Sequence, residues 1–145
     1  MNQGFNPPGV WQPFASFSLG MVQGEGRVVQ LCGQISWDED KRVVGKGNIA
    51  LQTKQCIDNI KAVLSHVGGT LKDVSSLTLY VTDLTDIAGV HKVRSEYFGE
   101  TCPVGTLVKV SQLIDPEMLI EITATAVIPH DRFVSPKTCS GGGNA

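Results

Sequence analysis

Ile49, Cys56, Ile60, Val63, Leu64 and Val67 recur at helical steps, with Asn48 in front of them and Gly68-Gly69 behind. That is the apolar stripe of one amphipathic helix. Asn48 can cap its free N–H groups, and a glycine can close it at the C′ position. A helix with a single apolar stripe must bury that stripe on another layer. The neighbouring segments supply the layer. Val74–Thr82 (VSSLTLYVT) and Leu119–Val127 (LIEITATAV) alternate and are rich in β-branched residues, so both read as strands. The chain is therefore of the α+β class.

The remaining elements follow from turn chemistry. Asn6-Pro7-Pro8-Gly9 is an extended arm or turn. Phe14–Val22 and Arg27–Cys32 read as strands around the turn Gln23-Gly24-Glu25-Gly26, which predicts an early β-hairpin. Trp37 to Gly47 is a solvated loop with a short strand at Arg42–Val44. Ile87, Val90, Arg94, Tyr97 and Phe98 step as a second helix closed by Gly99. After Pro103, Thr106–Leu113 reads as a strand that ends before the turn Asp115-Pro116. The order is ββαβαββ. It folds most economically as one mixed β-sheet with both helices packed on one face. The other face would be bare and apolar, which predicts a homo-oligomer whose sheets pack together. Residues 1–130 form a single domain, and 131–145 form a flexible tail whose Ser140-Gly141-Gly142-Gly143 stretch cannot pack.

A chain of 145 residues allows one core and no second. Charged residues are only 18%, below the roughly 25% usual for soluble domains, which agrees with a surface hidden against a partner. Net charge is −2 and the longest basic cluster is Lys41-Arg42, which argues against nucleic acid and against a polybasic membrane patch. No apolar run is long enough to span a bilayer, and the N-terminus has no secretory pattern. Cys32, Cys56, Cys102 and Cys139 form no CxxC pair, so a metal site is not expected and the thiols read as reduced, in a cytoplasmic protein.

Several short pieces, in order, resemble one family. They are Gly33-Gln34-Ile35 after a strand, Gln52-Thr53 and Asn59-Ile60-Lys61-Ala62-Val63-Leu64 in the helix, and Thr82-Asp83 ending a strand. Tyr97-Phe98-Gly99 and the closing Ile120-Glu121-Ile122-x-Ala124-x-Ala126 complete the series. From about Phe17 to Pro129 the chain resembles the Rid (YjgF/RidA) family. The resemblance implies a chorismate-mutase-like fold and a homotrimer with clefts between subunits. It also implies hydrolysis of reactive enamines or imines to keto acids and ammonia, with no metal or cofactor. The chain departs from the pattern where the family's deaminases hold the substrate carboxylate with an arginine. The segment here is Pro103-Val104-Gly105-Thr106, with Gly105 in the arginine's place. Phe17-Ser18 replaces a Tyr-Ser pair, Leu107 stands where cysteine is common, and His91 replaces an asparagine.

Glu121 is the candidate catalytic group. It is either a carboxylate beside apolar walls that orients or activates a water, or one residue of a wet strand face with Thr123 and Thr125. Gly105 is either a bulge in an edge strand or space in a cleft. A lost Arg–carboxylate pair removes about 1.5–3 kcal/mol. Lys109 lies on the same strand face but about 13 Å further along at ~3.3 Å per residue. Arg27, Arg94 and His91 are the other cationic candidates. His91 is a surface helix residue unless it faces the cleft, where it could donate or accept a proton. Cys32 and Cys102 read as small buried or half-buried residues that can line the cleft wall. With Phe17, Gly33, Gly105, Thr106, Leu107 and His91, they complete the candidate substrate-binding set. Trp11 and Trp37 lie in loops and either cap a pocket or anchor those loops. The expected function is deamination of an imine, enamine or amino-conjugated acid that differs from ordinary family substrates. The alternatives are a non-catalytic small-molecule binding module and a structural or protective protein.

Overall fold

The computed structural model describes residues 1–137. Six strands and two helices run in the order β1 (Gln3–Phe5), β2 (Gly20–Val22), β3 (Arg27–Gln30), α1 (Ile49–Ser65), β4 (Val74–Val81), α2 (Ile87–Phe98), β5 (Val104–Lys109) and β6 (Ile120–Ile128). The main sheet has the order β3-β6-β4-β5. β6 is antiparallel to both of its neighbours, while β4 and β5 are parallel, joined by the crossover through α2. The α+β, chorismate-mutase-like expectation is met by this mixed sheet with its two helices.

α1 forms as its stripe dictates. The Asn48 side chain accepts a hydrogen bond from the Leu51 N–H at 3.0 Å. Ile49, Cys56, Ile57, Ile60 and Leu64 are buried against Leu77, Leu79, Ile120 and Ile122. Val63 departs from the expected stripe and is 44% exposed, because the buried face is centred on Thr53, Ile57, Ile60 and Leu64. Two polar residues share that face. Buried Gln52 donates to the carbonyls of Gly45 and Glu117 and accepts from the Leu119 N–H at 2.8 Å. Its amide therefore ties the loop before α1 to the start of β6. At the helix end Gly68 takes φ +80°, and a side chain there would collide with the Arg132 carbonyl.

The expected early hairpin does not form. β2 pairs with β1 as a separate two-stranded sheet, and β3 pairs with β6. The Phe5 ring lies across Gly20, its direct cross-strand partner, where any Cβ would collide with it. That aromatic–glycine pair fixes the β1–β2 register. Phe14–Leu19, read as part of a strand, is irregular. The strand expected over Thr106–Leu113 starts at Val104 and stops at Lys109. Its partner β4 ends at Val81, leaving nothing for Ser111–Leu113 to pair with. Arg42–Val44 contributes one bridge, Trp37 to Val43.

Both helices pack on one face of the main sheet. The other face carries Ser76, Thr78 and Tyr80 of β4 and Thr106 and Val108 of β5. Glu121, Thr123 and Thr125 of β6 complete it. It is uncovered, as expected, but mostly hydroxylic rather than apolar. Val28, at 58% exposed, and Val108, at 40%, are its apolar margins. Within the segment read as a flexible tail, Arg132 holds the buried Asp73 at 3.0 Å and the Val134 N–H bonds the Val67 carbonyl. The Gly-rich stretch lies outside the described residues.

Candidate functional site

The chemistry-bearing residues fall into two groups. In the first, β3 and β6 are out of step. Gln30 pairs with Thr125, the Leu31 N–H bonds Ala124, and Gln34 bridges to Ile122. Cys32 and Gly33 therefore face the single residue Thr123, which makes a β-bulge. The bulge brings Gly33 against Glu121. A Cβ at Gly33 would stand 2.8 Å from Oε1, so the carboxylate occupies the space that glycine leaves. Cys32, Gly33 and Glu121 line a groove of about 560 Å³ at the sheet edge, with Trp37, Asn59 and Ile114. Asn59 Nδ2 donates to the carbonyls of Ile35 and Trp37, holding that loop in place. Cys56 lies beneath, its thiol pushed up to about 12 by burial and by the Glu121 charge.

The second group gathers beside β5. Phe17, His91, Gly105 and Leu107 line a cavity of about 570 Å³, with Trp11, Phe14, Ile87 and Arg94. Arg94 is 3% exposed, and its Nε and Nη2 have no hydrogen-bond partner among the described residues. Its guanidinium carbon sits 5.8 Å from the centre of the Phe17 ring. Burial pushes its pKa down, but a guanidinium starts so high that it stays a cation near neutral pH. His91 stands edge-on to Phe14 with centroids 5.5 Å apart, and its Nδ1 is also without a partner. Burial and the neighbouring Arg94 charge hold the imidazole below its ordinary pKa, which favours the neutral ring.

Register separates the two groups. Glu121 pairs with Tyr80, on the uncovered face, whereas Gly105 pairs with Leu77, on the helix-covered face. Within one chain the carboxylate and the guanidinium therefore lie on opposite sides of the sheet.

The family sequence model described as Endoribonuclease L-PSP matches residues 10–128. The chain belongs to the Rid (YjgF) family. A RutC family protein from Pyrococcus abyssi is 44% identical over 101 residues, 70% of this chain and 79% of the relative. The 3-aminoacrylate deaminase RutC of Acinetobacter baylyi is 37% identical over 99 residues, 68% of this chain and 78% of that one. Among solved structures, the Rid family protein YyfB from Yersinia pestis superposes with a TM-score of 0.81 at 30% identity, covering 88% of this chain and 98% of that one.

Against the Rid pattern, the candidate residues are only partly assembled. Thr106 joins Phe17 and Gly105 around a smaller cavity of about 300 Å³ at the start of β4 and β5. Cys102 lines none of these cavities. It takes φ +41° and its thiol turns back to the Gly99 carbonyl at 3.5 Å. Cys32, expected buried or half-buried, is exposed, because the bulge turns it outward. His91 faces the cavity instead of solvent alone. Trp11 and Phe14 form its outer wall, each packed on Phe17, the first tilted and the second edge-on. In the sequence Arg94 is one cationic candidate among several. The signal that distinguishes it is a charge placed on an otherwise apolar helical stripe.

Proposed function

We propose that this Rid protein is a cofactor-free deaminase. It would hydrolyse a reactive imine or enamine to a carbonyl compound and ammonia, in a cleft built from two protomers of a homotrimer. The observation that carries the reading is the Gly33–Glu121 cradle. A carboxylate is held in a groove by a glycine bulge, with room beside it for a water and a small planar group. The chemistry asks little more. Water adds its oxygen to the C=N carbon while the nitrogen takes up a proton. The O–H proton of the carbinolamine then passes to the nitrogen as the C–N bond breaks, so that the carbonyl forms and ammonia leaves. Glu121 would orient the water and accept its proton. An enamine enters the same path after protonation at its β-carbon.

Opposite placement of Glu121 and Arg94 supports a two-protomer cleft. The uncovered sheet face of one subunit would present Glu121 to the β5 cavity of the next. The 37% identity to a 3-aminoacrylate deaminase supports the reaction class. Ribonuclease chemistry, which the family description names, has less support. The chain carries a net charge of −2, and Arg42 of its one basic pair is spent on Asp38 and Asp40.

The test is release of ammonia from 2-imino acids generated in situ by an amino-acid oxidase, with light scattering of the same sample. Faster release than in buffer, abolished by Glu121→Gln in an intact trimer, supports the reading. Binding of the keto-acid product with no acceleration for any imine tried would leave a binding module instead.

A further inference from the structure

We propose that Arg94 is the anion receptor of the β5 cavity, reading the carboxylate of a substrate whose remaining body is apolar or conjugated and larger than that of a three-carbon acid. The inference rests on the deaminase reading for its chemistry, but its geometry stands alone. Nε and Nη2 form one edge of the guanidinium, the side-on fork that matches both oxygens of a carboxylate. Both of those nitrogens are buried without a partner among the described residues. A cation buried to this degree with two free N–H groups is costly unless something pairs with it. No described ion pair involves Arg94, and what faces it is the flat of Phe17.

Gly105 makes the placement possible. A Cβ at that position would meet Nη2 at 2.8 Å, so the helix-borne guanidinium occupies the space that a side chain on β5 would take. The rest of the cavity selects the body of the ligand. Trp11, Phe14, Phe17, Ile87 and Leu107 surround the fork with apolar and aromatic surface in a volume of about 570 Å³. A three-carbon acid would leave most of that wall unfilled, whereas a branched or aromatic side chain would cover it. His91, whose pKa is held down by burial and by the Arg94 charge, offers a hydrogen bond to the substrate.

Calorimetry on the intact protein tests this with three probes: 4-methyl-2-oxopentanoate, its amide, and pyruvate. The branched acid should bind about 10–100-fold more tightly than its amide, the worth of a bidentate charged pair. It should also bind more tightly than pyruvate. Arg94→Met should abolish the preference for acid over amide while the amide still binds. Arg94→Lys, which keeps the charge without the fork, should retain only part of it and serves as the decisive variant if Arg94→Met does not fold. Equal binding of acid and amide by the wild-type protein, or an unchanged preference in either variant, overturns the receptor. Pyruvate binding as tightly as the branched acid overturns the larger body. Acid-selective binding without ammonia release from the matching imino acid would strike the deaminase reading and leave the receptor intact. Undiminished release in Arg94→Met would do the reverse.

Discussion

Nη2 of Arg94 lies 2.8 Å from the point where a Cβ on Gly105 would stand, so the two positions compete for one volume. Adding even a methyl group to the strand must push the guanidinium aside. Gly105→Ala is expected to fold, since the far end of a long side chain can shift. It should weaken binding of the branched keto acid about tenfold by spoiling the fork. Titration of wild type and variant under the same conditions checks this.

The same crowding has a consequence for stability. A buried, unpaired cation opposes folding, and an apolar side chain of similar length does not. Arg94→Met should therefore raise the melting temperature of the ligand-free protein, by about 2–4 °C for each 1 kcal/mol recovered. A lower melting temperature would show that Arg94 is a structural group.

Glu121→Gln should cut turnover about 10²–10⁴-fold and leave the melting temperature and the oligomer unchanged. If the cleft is shared between protomers, refolding Glu121→Gln and Arg94→Met chains together in equal amounts should restore about a quarter of the wild-type clefts. No recovery in verified mixed trimers would mean that one protomer supplies both groups, which would overturn the shared cleft.

Thiol labelling should follow exposure and pKa. Cys32 is exposed and should react first. Cys56 is buried and held protonated by a pKa pushed up to about 12, so it should react only when the protein unfolds. Peptide mapping after timed alkylation, with and without denaturant, measures the order.

Gln52→Leu should destabilise strongly, because the loss of one amide leaves the Gly45 and Glu117 carbonyls and the Leu119 N–H without their partner. The expected cost is about 1–3 kcal/mol for each buried group that water does not reach. A denaturant melt reads it directly.

How much of this was legible in the sequence depends on the range of each interaction. α1, α2, β4 and β6 are written locally, as stripes and alternation, and they formed within a residue or two of expectation at most ends. The partner of β3 was not legible. Arg27–Gln30 pairs with Thr125–Ile128, a contact set by the whole sheet, whereas the nearby glycine turn signals only that the chain reverses. Phe5 on Gly20 was hidden for the same reason. At the site, Gly33, Gly105 and Glu121 stood out through a resemblance, but the resemblance drew attention to what position 105 lacks. The compensating residue sat on another element, spaced as if it belonged to the core. Only the distance between helix and strand shows that the two positions answer each other.

Placing the anion-reading group on α2 also separates two tasks that a strand-borne arginine would fuse. Tyr97 ties α2 to Asp58 of α1 at 2.6 Å, so the helix is braced against its neighbour rather than against β5 alone. Substitutions along that helix can retune what the pocket accepts while the strand backbone keeps its pairing and the outer face its shape. Selectivity here can therefore drift under selection without each step putting the sheet at risk.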